Sequence, residues 1–227
     1  MQKMNPQEIA QSYDSLASHW DGDEFYRKNG VEQHIRALRF CQNHAYAIDI
    51  GSGSSGRIID LLLSKKFCNV EGLDISQGML GLARRRHPEV IFHHADITLW
   101  DFPRKYDFIS AWDSIWHVSL DEQENVLRKI CKALTQNGIL IFTSGGVDEP
   151  GEGGNPFKGQ PLYHSALGIP KLLDIVKSEG CILRHLEYDQ AHGDDTDSHL
   201  YLIIQKAESG RRESLAPASH TTGHTDP

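Results

Sequence analysis

The chain has 227 residues, 24% of them charged, and a formal charge of −8, which suits one substantial domain with little room for a second. The acidic balance argues against a surface that tracks phosphates, because nucleic-acid affinity rests on Lys and Arg neutralising the backbone; ordinary solubility accounts for it. No apolar run approaches the roughly 20 residues of a membrane span, and the start MQKMNPQEIAQSYD lacks a signal-peptide core, so the expectation is a cytoplasmic protein without a membrane partner.

Residues 1–40 read as a helical segment carrying Tyr13, Trp20, Phe25 and Tyr26 among polar residues. Strands and helices then alternate. Tyr46–Ile50 is a strand, and 57–66 a helix with a broad apolar face from Ile58 to Leu63. Asn69–Asp74 is the second strand, followed by a helix capped at Ser76 and ended before Pro88. Strands follow at 90–93 and at Tyr106–Ala111. Ser119 with Glu122 forms a capping-box pattern, and Val126, Leu127, Ile130 and Leu134 continue at helical spacing until Asn137-Gly138. The run 139–143 is apolar on both faces, as in a covered parallel strand. A long Gly/Pro-rich connection, 144–168, reads as a functional loop without structure of its own. A helix over 170–180 with Pro170 in its first turn precedes two closing strands, 182–188 and 199–205. Residues 207–227 lose the apolar pattern and read as a disordered tail.

Four cysteines, Cys41, Cys68, Cys131 and Cys181, lack CxxC spacing and read as buried small apolar residues of a reducing compartment. No metal is expected. The adjacent His93 and His94 point to opposite faces of a strand, and His220 with His224 fall in the tail.

Repeated βα units imply a doubly wound, mostly parallel sheet, whose ligands bind beyond the carboxyl ends of the strands at the switch point. Asp49, Asp74, Asp96, Trp112-Asp113 and Ser144 stand at or just after strand ends. The run Asp49-Ile50-Gly51-Ser52-Gly53 opens a helix whose N-terminal amides face a ligand. Gly51 and Gly53 permit close backbone approach or φ > 0. A carboxylate before such a loop repels a pyrophosphate and suits a cationic or hydroxyl-rich ligand. Asp74 can take two hydrogen bonds from a ribose diol, and Asp96 can reach an adenine amino group with Ile97 beside the ring.

These residues, together with Gly72-Leu73-Asp74-Ile75-Ser76-x-x-Met79-Leu80, His94-Ala95-Asp96, Tyr106-Asp107-Phe108-Ile109 and Leu134-x-x-x-Gly138-x-Leu140, resemble successive motifs of the class I S-adenosylmethionine-dependent methyltransferases, over roughly residues 11–206. The resemblance implies an α/β, Rossmann-like three-layer sandwich around a doubly wound seven-stranded sheet, mostly parallel with an antiparallel last strand. It implies S-adenosyl-L-methionine as cofactor and S-adenosyl-L-homocysteine as product. Asp49 and the glycine loop would flank the methionine moiety, Asp74 the ribose, and Asp96 with Ile97 the adenine. Ser52, Ile75, Met79 and Trp112 complete the expected wall. The family often has a third glycine where Ser55 stands, with Gly56 next, which puts Gly51 and Gly53 ahead of Gly56. Residues 1–40 resemble the family's lid, where Tyr13 and Trp20 would close over the cofactor and Arg27 would assist with its carboxylate.

On the acceptor side, His117 is the natural base, because its ordinary pKa lies near working pH, and Asp113 stands beside it. Phe157, Tyr163, His164 and His199 would shape the pocket. The expected activity is methyl transfer to an O or N atom of a small molecule. Alternatives are a nucleic-acid or protein methyltransferase, a non-catalytic binding module, or an NAD-dependent oxidoreductase, for which Asp49 is misplaced. The Asn/Asp-Pro-Pro-aromatic motif of base-amino methylation is replaced by Ala111-Trp112-Asp113-Ser114.

Overall fold

Period-two burial along the central strands decides the architecture. In β5 (Leu134–Gly145), Ile139 and Ile141 face one apolar cluster while Leu140 and Phe142 face the other, so helices must cover both sides. The computed structural model describes residues 3–21, 28–190 and 199–208. Phe25, Tyr26 and Arg27, and residues 209–227 of the expected tail with His220 and His224, lie outside the described residues.

Helices α1 (Pro6–Asp21) and α2 (Val31–Leu38) precede β1 (Tyr46–Ile50), α3 (Arg57–Ser64), β2 (Asn69–Asp74), α4 (Gln77–Arg86), β3 (Ile91–His94) and β4 (Tyr106–Ala111). Then come α5 (Leu120–Lys132), β5, a hairpin of β6 (Gly151–Gly154) and β7 (Tyr163–Ala166), α6 (Ile169–Ser178), β8 (Cys181–Gln190) and β9 (His199–Lys206). The main sheet has seven strands in the order β3-β2-β1-β4-β5-β9-β8. β1 to β5 pair in parallel, and β9 runs antiparallel between β5 and β8. Ala37, Ile59, Leu62, Leu80 and Ala83 from α2, α3 and α4 pack on one face. Val126, Leu127, Ile130, Leu172 and Ile175 from α5 and α6 cover the other. This is the expected three-layer sandwich. Among the described residues no helix is long and apolar enough to cross a membrane.

Several expectations need correction. The helix after Ser119 ends at Lys132, not at Asn137: the Ala133 carbonyl already accepts the Tyr106 N–H at 2.8 Å, and Leu134 pairs with Tyr106. The strand ladder thus captures the chain early, and Asn137, at φ 62°, bends it before Gly138. Ser119 is the N-cap, but its side chain makes no capping bond. The connection 144–168 has structure of its own, the β6–β7 hairpin, which glycine-rich β6 concealed because glycine is depleted in strands. The third strand runs from Ile91 rather than Val90. Of the cysteines, Cys131 and Cys181 are buried, whereas Cys68 is exposed and Cys41 half-buried.

Asp107, read as part of a motif, is a structural pin. Its carboxylate accepts the Ala45 and Tyr46 N–H groups at 2.9 and 3.1 Å and the Thr135 hydroxyl at 2.9 Å, fastening the starts of β1 and β5. At the opposite end, Gly51 has φ 72°, and a Cβ there would stand 2.3 Å from the Ser114 Cβ. Both the left-handed backbone and the contact demand glycine. Gly51→Ala should therefore lower the urea-unfolding free energy by about 2–4 kcal/mol; a loss within experimental error would contradict this account of the turn.

Candidate functional site

The strand order reverses between β1 and β4, and the cavity opens there, as doubly wound sheets require. It has a volume of about 350 Å³, and Met4, Trp20, Ile97, Asp113 and His117 are among the residues that line it.

The Gly51 and Ser52 N–H groups donate to the Leu73 carbonyl at 2.7 and 3.1 Å, folding the loop back onto β2. Asp74 completes the turn: Oδ2 accepts the Gly53 N–H and Oδ1 the Ser76 N–H, both at 2.8 Å. Burial raises the Asp74 carboxyl, and the backbone donors at Ser76, Gly53 and Ile75 oppose that rise. Ser76 caps α4 by accepting the Met79 N–H at 3.0 Å. Ile75 and Met79 line the cavity beside Asp74. Asp96 and Ile97 line it further along, with Asp96 Oδ1 accepting the Thr98 N–H at 2.8 Å. Gly56, set behind Gly51 and Gly53 by the sequence, is the left-handed N-cap of α3 at φ 68°.

Asp49 does not line the cavity. It is 4% exposed, behind the glycine loop, with the Ser110 hydroxyl as partner, and burial pushes its carboxyl up to about 6. Trp112 is buried against Gly30 and does line the cavity. The hydroxyls of Ser54 and Ser114 and the Trp112 indole N–H, all on the cavity wall, have no hydrogen-bond partner among the described residues. Such orphaned buried donors fit a ligand rich in polar groups.

Helix α1 lines the cavity with Ile9, Tyr13 and Trp20. The Tyr13 hydroxyl donates to His117 Nε2 at 2.6 Å, and the His117 Nδ1–H donates to the Tyr163 carbonyl of the hairpin at 2.7 Å. The Trp116 indole N–H also reaches His117 Nε2, at 3.1 Å. Burial, aided by nearby His164, lowers the His117 pKa to about 3, against the opposing influence of Tyr163 and Asp113. Burial raises Tyr13, so it stays a donor. Trp20 lines the cavity and stacks on Phe157 at 5.5 Å. Asp113, at φ 51°, is held from both sides: Asn29 Nδ2 donates to Oδ2 at 3.1 Å and His199 Nε2 to Oδ1 at 2.8 Å. Phe157, Tyr163, His164 and His199 stand behind the cavity wall and brace residues that form it.

Sequence reasoning missed Asp14, Asn29, His34 and Arg57. Asp14 Oδ1 accepts the Ser76 hydroxyl at 2.6 Å and the Gly78 N–H at 2.8 Å, clasping α1 to the N-terminus of α4. Arg57 Nε donates to the Asn29 carbonyl at 2.8 Å, and Arg57 lines the cavity. Its place right after the glycine loop was the available signal; Asp14, Asn29 and His34 carried none.

The fold and the cavity define a doubly wound α/β domain with a polar-lined cavity at its switch point. Residues 47–138 match a family model described as a methyltransferase domain. The chain is 26% identical over 136 residues to a dTDP-3-amino-3,6-dideoxy-alpha-D-glucopyranose N,N-dimethyltransferase of Streptomyces fradiae, covering 59% of this chain and 52% of that protein. It is 27% identical over 129 residues to a phosphoethanolamine N-methyltransferase of Plasmodium falciparum, covering 54% and 48%. The chain thus spans about half the length of the curated relatives it matches. Its fold is that of the S-adenosylmethionine-bound amino pentose methyltransferase of Micromonospora echinaspora, with a TM-score of 0.61 at 15% identity over 85% of this chain and 96% of that one. The matched family model, the two relatives and the fold neighbour are all methyltransferases, and the chain is similar to them over these spans.

Because the folded pKa of His117 lies below its unfolded value of roughly 6.5, the stability linked to it is complete above that pH and drains away as pH falls toward about 3. His117→Gln keeps a partner for Tyr13 but takes no proton. Its unfolding midpoint should fall less than the wild type's between pH 7.5 and 4.5; an equal acid loss would show that His117 is not held neutral.

Proposed function

We propose that the chain moves the methyl group of S-adenosylmethionine to an amine nitrogen of a small molecule. In this reading adenine lies by Asp96 and Ile97, the ribose diol on the free lone pairs of Asp74, and the methionine end along the Gly51–Gly53 turn near Arg57. The sulfonium methyl then points toward Tyr13, Asp113 and His117. Residues 3–21 act as the lid, and the segment 144–168 braces the acceptor side.

The state of His117 carries the choice of nitrogen. A hydroxyl acceptor needs a base to take its proton during transfer, whereas an amine needs only to be neutral. An imidazole lowered to about 3, with Nδ1–H committed to Tyr163 and Nε2 to Tyr13, is a poor base for a hydroxyl. It serves better as a neutral wall that fixes the Tyr13 hydroxyl. The amine lone pair forms the new N–C bond as the C–S pair returns to sulfur, and the alkylated ammonium sheds its proton afterwards. Asp113 offsets the positive charge, and Trp20, which lines the cavity with Phe157 stacked behind it, offers an aromatic ring compatible with a cation. Both curated relatives are named for N-methylation, which favours the same reading. The net charge of −8 favours a small acceptor in the cytoplasm over nucleic acid.

A panel of amino sugar nucleotides and phosphorylated amino alcohols, each beside its hydroxyl counterpart, should accept label from methyl-labelled S-adenosylmethionine only on the amines. Asp113→Asn should lower kcat/KM by about tenfold or more, roughly 1.4 kcal/mol. Label on the hydroxyl compounds would refute the choice of nitrogen.

A further inference from the structure

His34 is 0% exposed, lies on α2, and takes no part in the reaction described above. Its Nδ1–H donates to the Gly30 carbonyl at 2.6 Å, and its Nε2 meets the Ser110 hydroxyl at 2.9 Å. Ser110 is the direct neighbour of Asp49 across the β1–β4 ladder, and its hydroxyl is also the partner of the Asp49 carboxylate. One hydroxyl proton therefore stands between two acceptors. With Nδ1–H fixed on Gly30 and Asp49 ionised, Ser110 can satisfy Asp49 or His34 Nε2, never both. One additional proton completes the chain. It sits on Asp49, giving Asp49–H to Ser110 to His34, or on His34 Nε2, giving His34–H to Ser110 to an ionised Asp49.

We propose that Asp49, Ser110 and His34 form a proton-sharing chain, in which His34 is a positioning residue that takes up the proton of Asp49 when the cationic amino-acid end of the donor occupies the glycine-loop end of the cavity. The inference rests on the cofactor reading given above. The exchange balances internally: the Asp49 O–H bond breaks, the Ser110 proton moves to His34 Nε2, and Ser110 regains the Asp49 proton. Buried groups are thereby spared an unpaired charge in the empty site. The groups facing Asp49 are Arg57 at the start of α3 and Asp74 at the end of β2; those facing His34 are Arg57 and Asp113. Burial raises Asp49 to about 6 and lowers His34 to about 4, so below about pH 6 the proton rests on Asp49 until a cation arrives, and the ionised Asp49 then favours the charged form of His34.

The test uses S-adenosylhomocysteine, which carries the ammonium group, and calorimetric titration from pH 8 to pH 5. In the wild type the proton stays within the chain and affinity should be nearly flat. In His34→Gln, which keeps a hydrogen bond to Ser110 but accepts no proton, the Asp49 proton must pass to water. Its affinity should then fall by up to tenfold per pH unit below about 6. Ser110→Ala, a smaller change that removes the bridge, should show the same slope. Nitrogen-15 NMR of the wild type at pH 5, below the Asp49 value of about 6, should show His34 Nε2 gaining a proton on binding. A wild type that binds nothing at any pH overturns the cofactor reading itself. A wild type that binds with the slope of His34→Gln, or a His34 Nε2 that stays unprotonated, overturns the chain alone.

Discussion

The carboxylate of Asp74 holds two loops with its two oxygens. One accepts the Gly53 N–H of the turn after β1, and the other accepts the Ser76 N–H at the cap of α4. Because Asp74 ends β2, the neighbour of β1 in the sheet, the parallel register fixes where both loops begin. Helix α1 depends on the same point, since Asp14 fastens to Ser76 and Gly78. Remove the carboxylate and the glycine turn, the α4 cap and the clasp of α1 lose their common anchor. That dependence explains why a buried acid is retained where burial alone raises its pKa.

From this anchor the chemistry divides into two parts with different electrostatics. One part of the wall carries carboxylates at strand termini, Asp74 and Asp96, whose remaining lone pairs suit hydroxyl and amino donors. Another is aromatic and imidazole-rich, with one carboxylate, Asp113, braced by Asn29 and His199. His117 there is neutral because it is buried, and it is oriented because three groups hold its ring nitrogens. Under the proposed methyl transfer, a site so built would align reactants more than move protons, as an in-line displacement requires.

The fold was legible because strand periodicity and glycine punctuation are local signals. Tyr46–Ile50, Asn69–Asp74 and Tyr106–Ala111 came out with the bounds read from the sequence. What escaped was decided by contacts distant in the chain. The early end of α5 depends on a hydrogen bond from Tyr106, and β6 gains its strand form only by pairing with β7. The cavity-lining acids Asp74 and Asp96 were visible for a similar reason: they follow strands in a fixed order. The surroundings of His117 were visible in composition alone. His117 reads as a base from its ordinary pKa, and only burial under Tyr13 and the hairpin turns it into a neutral partner. His34 and Asn29 come from the entrance to α2, where no motif marks them.

The most direct measurement is the calorimetric affinity of S-adenosylhomocysteine for the wild type and for Asp74→Ala, with circular dichroism confirming that both are folded. The account predicts affinity in the micromolar range for the wild type, none measurable for the variant, and none for NAD with either. Unchanged binding in folded Asp74→Ala would contradict it.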